Sequence, residues 1–172
     1  SLKQSDSLSF YSFNENLSMW QKNVRGRESL YYLIERLAET NPAGKTNFKE
    51  ILKINNLSSG ITIIITDLWE KDIFQVLDFL NAQGQEIILI HLLSPQELEP
   101  EFTDEWKMRD IETQVMHNVD VNNKVKEIYA QKLKKHIKSN KEKCLNREIQ
   151  YLLSSTNEKP AKILFQALGG YY

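Results

Sequence analysis

The sequence predicts a domain of the α/β class, with a mostly parallel sheet covered by helices. Residues 61–66 and 86–93 are continuous apolar runs rich in β-branched side chains, which is the pattern of strands buried on both faces. Between the two runs, apolar residues recur at helical spacing, and Gly84 follows as a C-cap. The order strand, helix, strand predicts a right-handed crossover between parallel strands.

The segment before the first apolar run predicts a strand and two helices. Leu8–Phe13 alternates like a strand, and residues 29–39 place leucine and isoleucine on one helical face. A break at residues 41–44, which contain proline and glycine, ends that helix. A short helix is then expected over residues 48–54.

The segment after the second run predicts four further elements. Residues 115–119 read as a short edge strand, and residues 121–145 as a long amphipathic helix. Residues 149–153 predict a last strand, and residues 162–168 a last helix. Because no internal repeat or low-complexity linker interrupts the pattern, we expect a single domain over residues 1–172.

Composition fits one ordinary globular domain. The chain has 172 residues, of which 41% are hydrophobic and 26% are charged. A net charge of -1 indicates neither a nucleic-acid partner nor a membrane partner. Cys144 is the single cysteine, so an intrachain disulfide is excluded, and this agrees with a reducing cytosolic compartment. No apolar run is long enough for membrane insertion by this segment.

Charge is unevenly distributed along the chain. Residues 95–120 contain eight acidic residues against two basic ones, and residues 124–147 contain nine basic residues against two acidic ones. The favoured interpretation of the basic stretch is the solvated face of a surface helix. A docking surface for an acidic partner is the alternative. Nucleic acid is disfavoured because aromatic residues do not alternate with the lysines.

Two oxygen-bearing side chains are candidate site residues. Asp67 follows the end of a buried strand, the edge where ligands bind in open α/β sheets. Thr46 lies in a loop before a helix, and its hydroxyl suits a hard cation such as Mg²⁺. Taken alone, helix capping is the stronger interpretation of each residue, with Asn47 the nearer capping residue beside Thr46.

Sequence motifs for catalysis are weak. A phosphate-binding loop around Thr46 is excluded because Glu39 occupies the position of its first glycine. An aspartyl phosphotransferase would require a second carboxylate where Trp69 stands. The three histidines share no metal-ligand spacing with Cys144, whose apolar neighbours indicate packing.

Five motifs in order resemble the bacterial family known as domain of unknown function 58. They are the strand ending at residues 63–67, the turn 94–97, the segment 108–113, Tyr129 in the lysine-rich helix, and the strand 149–151. The resemblance implies a three-layer αβα Rossmann-like fold of von Willebrand factor A type. It also implies a metal-ion-dependent adhesion site at the carboxyl edge of the sheet.

In such a site a D-x-S-x-S loop, a threonine loop and an aspartate hold the ion. By resemblance, Thr46 and Asp67 fall on the second and third of these. The first is not matched, because Leu8 and Phe10 occupy its serine positions when counted from Asp6. The first strand, with that loop, is therefore expected upstream of Ser1. We expect no cofactor in this chain, with Mg²⁺ bound only when the upstream loop is present.

The resemblance implies a non-enzymatic protein–protein interaction module, an adaptor or chaperone-like partner of a MoxR-type AAA+ ATPase. The expected location is the cytoplasm, as part of a longer membrane-associated bacterial protein. One alternative is a Mg²⁺-dependent phosphate-ester hydrolase using Asp67, for which Glu70 and Asp72 are the carboxylates nearest in sequence. Another is an oligomerisation unit that self-associates through an unpaired sheet edge.

Overall fold

The computed structural model describes residues 7–13, 17–25, 27–40, 45–54, 57–100, 105–109, 116–120 and 123–169. The chain divides into two compact units, with the boundary after Asn55. In the described part of the chain, no helix combines the length and the apolarity needed to cross a bilayer.

The first unit contains a β-hairpin followed by helices. Its elements are β1 (Leu8–Phe13), β2 (Leu17–Val24), α1 (Arg27–Glu39) and a 3-10 helix (Phe48–Lys53). β1 and β2 pair antiparallel, and β2 was not predicted. The short helix that was expected over residues 48–54 is a 3-10 helix and ends at Lys53. It begins after Asn47, whose side chain accepts a hydrogen bond from the backbone N–H of Lys49.

The second unit is built around a three-stranded parallel sheet. Its elements are β3 (Gly60–Thr66), α2 (Ile73–Ala82), β4 (Gln85–Leu93), α3 (Pro95–Leu98), β5 (Glu105–Arg109), β6 (Met116–Asp120), α4 (Asn123–Leu145), β7 (Gln150–Ser155) and α5 (Pro160–Leu168). The strand order is β3-β4-β7, and both pairings are parallel. The α/β class and the parallel pairing of the two apolar runs are therefore confirmed.

Helices cover both faces of this sheet, in three layers. On one face, Ile88 and Ile90 of β4 pack against Ala167 of α5. Neighbouring residues of a strand point to opposite faces, so His91 lies on the other face, where its ring contacts His136 of α4. α2 lies beside α4, as one contact shows: the guanidinium of Arg147, just beyond the end of α4, stacks on the ring of Phe74 in α2. The Rossmann-like αβα arrangement is thus confirmed.

β4 is buried on both faces as predicted, but β3 is not. The side chains of Ile61, Ile63 and Ile65 are 48%, 41% and 59% exposed, so the prediction of two-sided burial was wrong for this strand. The physical reason is the position of α5, which packs over β4 and β7 and leaves the same face of β3 uncovered by the described residues.

The turn between α2 and β4 has the predicted glycine. α2 ends at Ala82, and Gly84 has a φ of 74°, a left-handed conformation that glycine adopts without strain. A Cβ atom at this position would lie 3.1 Å from Oγ of Ser59. Gly84 therefore sets both the end of the helix and the entry into β4.

The predicted strand near residue 115 belongs to a hairpin. β6 begins at Met116 and pairs antiparallel with β5, which the sequence analysis missed. Residues 110–115 lie outside the described residues, as do residues 121 and 122 at the expected start of α4. The predicted last strand and last helix are confirmed as β7 and α5, with ends shifted by one or two residues.

Candidate functional site

The carboxyl ends of β3 and β4 form the candidate site. The two strands are parallel and in register, with Thr66 beside His91, so both chains leave the sheet at the same edge. Asp67 follows Thr66 and is exposed, whereas Leu68 is buried with a φ of 60°. The positive φ turns the chain sharply after the strand. Asp67 therefore stands at the edge where the sequence analysis expected it.

The side chains of Thr66 and Asp67 stabilise this turn. Oγ1 of Thr66 accepts a hydrogen bond from the backbone N–H of Leu68 at 3.1 Å, and Oδ1 of Asp67 accepts one from that of Trp69 at 3.2 Å. Such local bonds are typical of Asp and Thr in turns. The N-cap of α2 is instead Asp72, whose side chain makes no cap bond. The expectation that Asp67 caps the following helix was therefore wrong.

Trp69 is held against α4 by a ring stack. Its indole lies 3.9 Å from the imidazole of His136, with an interplanar angle of 11°. Nδ2 of Asn140, itself buried, donates to Nε2 of His136 at 3.0 Å, and the carbonyl oxygen of Asp67 lies 3.5 Å from the same nitrogen. Trp69 nevertheless remains 53% exposed. The edge thus presents an aromatic surface whose orientation is fixed.

His91 lies beneath this surface and is fully buried. Its Nδ1 shares a hydrogen bond of 2.6 Å with the hydroxyl of Tyr151, and its ring meets that of His136 edge-on at 5.5 Å. Among the described residues, no hydrogen-bond partner lies within ordinary bonding distance of Nε2 of His91. His91 therefore supports the site from inside the sheet and does not reach solvent.

Burial determines the protonation states of His91 and of its hydrogen-bond partner Tyr151. It lowers the pKa of His91, and the neighbouring His136 lowers it further, while the carbonyl and carboxylate of Asp67 and the carboxylate of Glu97 act in the opposite direction. Burial also raises the pKa of Tyr151 above its usual range. Both groups are consequently uncharged near neutral pH.

The turn that follows β4 is a capping box. Oγ of Ser94 accepts from the backbone N–H of Glu97 at 3.2 Å, and the backbone N–H of Ser94 donates to Oε2 of Glu97 at 2.7 Å. The hydroxyl of Tyr129 donates to the carbonyl of Glu97 at 2.7 Å. Two of the motifs found in the sequence, the turn 94–97 and Tyr129, therefore join α3 to α4.

Thr46 lies in the first unit, and its side chain is exposed. Asn47, the competing residue beside it, caps the 3-10 helix, so the interpretation of Thr46 as a helix cap was wrong. Thr46 and Asp67 supply oxygen ligands of the kind Mg²⁺ prefers, but two are too few for a cation that takes about six. In the part of the chain that the structure describes, no three His, Cys, Asp or Glu side chains are grouped to hold a metal. Joint coordination by Thr46 and Asp67 stays a prediction.

Cys144 packs in the interior, as expected from its apolar neighbours. It is fully buried, and burial raises the pKa of its thiol to about 11. The thiol is therefore protonated at neutral pH, which is the unreactive form.

Comparison with known proteins identifies the family. Residues 1–139 match the family described as "Protein of unknown function DUF58". The chain belongs to this family. The DUF58 resemblance noted in the sequence is therefore confirmed, while the von Willebrand factor A type and the link to MoxR-type ATPases stay predictions.

Among solved structures, this DUF58 chain is similar to the crystal structure of the conserved hypothetical protein BatB from Bacteroides thetaiotaomicron. The sequences are 13% identical, the match covers 96% of this chain and 79% of that chain, and the TM-score is 0.49. A search of curated proteins finds no match.

Proposed function

We propose that this DUF58 chain is a non-enzymatic protein-interaction module, an adaptor or chaperone-like partner of a MoxR-type AAA+ ATPase. It engages its partner at the carboxyl edge of the sheet through Trp69 and Asp67. The observation that supports this most is the stack of Trp69 on His136 at 3.9 Å, which holds a half-exposed indole in place.

A fixed tryptophan is a good anchor for a protein partner. Tryptophan is enriched among the residues that dominate binding energy at interfaces. Since the stack on His136 already restricts the indole, binding loses less side-chain entropy than it would with a free rotamer. The exposed carboxylate of Asp67, two residues away, adds a charge that selects a basic or metal-bearing partner.

The polar groups of the edge also favour binding over catalysis. Oδ1 of Asp67 is engaged by the backbone of Trp69, and Nε2 of His136 is engaged by Asn140. His91, whose pKa is lowered by burial, is fully enclosed and therefore does not reach a substrate. The hydrolase alternative relies on Asp67 with Glu70 or Asp72, all of which are exposed.

We further propose that the chain binds Mg²⁺ weakly or not at all. Thr46 and Asp67 would leave a hard cation coordinated mainly by water. A family-type adhesion site completed by an upstream D-x-S-x-S loop would change this, since it adds further oxygen ligands. Calorimetric titration of this chain with Mg²⁺ should show no binding at micromolar affinity, and a micromolar dissociation constant would overturn this expectation.

Calorimetry with a purified MoxR-type ATPase, saturated with a non-hydrolysable ATP analogue, tests the edge. Trp69→Ala should weaken binding by roughly tenfold or more, because an interface anchor contributes about 2 kcal/mol. The matched control is Phe165→Ala, an exposed aromatic of α5, which should leave the affinity unchanged. Equal affinities of the wild type and Trp69→Ala would contradict the proposal. So would Mg²⁺-dependent phosphatase activity that Asp67→Asn abolishes.

A second candidate function is self-association through β3. The exposed side chains of Ile61, Ile63 and Ile65 form an apolar stripe on a strand at the edge of the described sheet, and such edges pair readily. Sedimentation velocity at micromolar concentration tests this candidate. A dimer that Ile63→Lys dissociates would support it, and a wild-type monomer would exclude it.

A further inference from the structure

A groove runs along the flank of α4 next to α3. Its volume is about 530 Å³, and the side chains that line it are Leu98, Ala130, Leu133, Lys134, Ile137, Lys138 and Lys141. Leu98 is the last residue of α3, and all the others belong to α4. Counted from Ala130, the α4 residues stand at i, i+3, i+4, i+7, i+8 and i+11 and so form one stripe of the helix, about 16 Å long.

The groove has an apolar floor and a basic rim. Leu98, Ala130, Leu133 and Ile137 supply the apolar part, in which Leu133 is buried and Ala130 is exposed. The lysines flank this floor on successive turns. An apolar strip bordered by charges of one sign selects a ligand with a complementary pattern.

The rim lysines are available to a ligand. Neither Lys134 nor Lys141 forms an ion pair with another described residue. Lys138 lies 3.8 Å from Glu142, and both side chains are largely exposed, at 76% and 62%. Exposed pairs of this kind contribute little to stability. A carboxylate from a partner would therefore displace no strong contact within the part of the chain that the structure describes.

We infer that this groove binds an acidic amphipathic helix of a protein partner. Apolar side chains at positions i, i+3 or i+4, and i+7 of that helix would lie on the floor. Glu or Asp residues on its flanks would meet the rim lysines. The apolar floor and the basic rim together make the lysine-rich face of α4 a docking surface, beyond the solvated face that composition favours.

Other ligands fit this surface less well. Nucleic-acid grooves use aromatic side chains as stacking platforms, and the described residues that line this groove include none. A helix that lies on a membrane projects its apolar side chains outward into the lipid, whereas here the central one, Leu133, is buried at the base of the groove. The lining also shares no residue with the Trp69 site, so this inference stands or falls independently of the proposed function.

Fluorescence anisotropy with a designed peptide tests the inference. The probe is a fluorescein-labelled helix of about 18 residues, or five turns, with leucine along one face and glutamate on its flanks. Ala130→Arg fills the groove from an exposed position, and Gln131→Arg places the same charge and bulk on an exposed position outside the lining. Circular dichroism checks that all variants stay folded.

A second pair of variants separates local contacts from general attraction. Lys134→Glu with Lys141→Glu reverses the rim, and Lys132→Glu with Lys135→Glu reverses two exposed lysines outside the lining. Both double variants change the net charge equally. We expect the rim variant to weaken peptide binding roughly tenfold relative to the control, and Ala130→Arg to do the same relative to Gln131→Arg.

Three results would overturn the inference. One is an absence of binding by the glutamate-flanked peptide, and another is equal weakening by both double variants. The third is binding of the chain to vesicles containing anionic phosphatidylserine, with the same dependence on Ala130, in place of the peptide. A lysine-flanked version of the peptide should not bind.

Discussion

The contrast between the two strands of the parallel sheet leads to a quantitative prediction. Ile63 of β3 and Ile88 of β4 are register partners and point to the same face of the sheet. Ile88 is fully buried under α5, whereas Ile63 is 41% exposed. Replacing each by alanine removes the same atoms, so the two changes differ only in their surroundings.

The expected losses of stability differ by several kcal/mol. Ile88→Ala removes a fully packed side chain and leaves a cavity, which costs about 2–5 kcal/mol. Ile63→Ala removes a side chain that keeps much of its contact with water and leaves no enclosed cavity, so we expect a loss of about 1 kcal/mol or less. Against a total stability of roughly 5–15 kcal/mol, the first change is severe and the second is mild.

Urea unfolding followed by circular dichroism measures both losses. The midpoint should fall strongly for Ile88→Ala and slightly for Ile63→Ala, with the denaturant slope unchanged. Similar losses from the two changes would refute the reasoning, because they would show that this face of β3 is as well packed as that of β4. Ile61→Ala repeats the test at a second exposed position.

Three further predictions concern single groups. Because the pKa of His91 is lowered by burial, the free energy of unfolding should fall as pH drops below about 6.5, by at most about 1.4 kcal/mol per pH unit, until the folded-state pKa is reached. In urea unfolding at several pH values, the His91→Leu variant should lack this His91-dependent loss of stability. The same pH slope in the variant and the wild type would contradict the prediction. Gly84→Ala should cost about 1 kcal/mol or more, since φ is 74° and Oγ of Ser59 lies 3.1 Å from the new Cβ; an unchanged melting temperature would argue against this turn geometry. Cys144, with its pKa raised to about 11, should react with a thiol reagent only after unfolding; rapid reaction of the native protein would show that the thiol is accessible.

Local patterns in the sequence predicted the central part of the fold. The apolar runs of β3 and β4, the periodic α2 between them and Gly84 are all short-range signals. The burial of a strand depends instead on the elements that pack over it, and the strand's own composition does not show which elements these are. The exposure of Ile61, Ile63 and Ile65 was therefore not predicted. β5 did carry a signal, since Trp106 alternates with charged residues, but the strand has only five residues, which is a short stretch for alternation to be recognised.

The candidate site was only partly predictable. Asp67 followed from its place after a buried strand, which is a local feature. The layer of Trp69, His91, His136 and Tyr151 combines residues from a turn, two strands and a helix that are far apart in sequence. Metal-ligand spacing gave no reason to group the histidines, because the strands and α4 bring them together only in the folded sheet.

Hydrogen–deuterium exchange of the chain with and without the MoxR-type ATPase tests the central claim most directly. Our account predicts that the partner slows exchange in peptides covering residues 66–72, where Asp67 and Trp69 form the carboxyl edge. Peptides from α5, on the other face of the sheet, should exchange as in the free chain. Protection confined to residues 130–141 would contradict the edge as the binding surface and place the ATPase in the α4 groove. Unchanged exchange throughout, at saturating ATPase, would contradict the adaptor role.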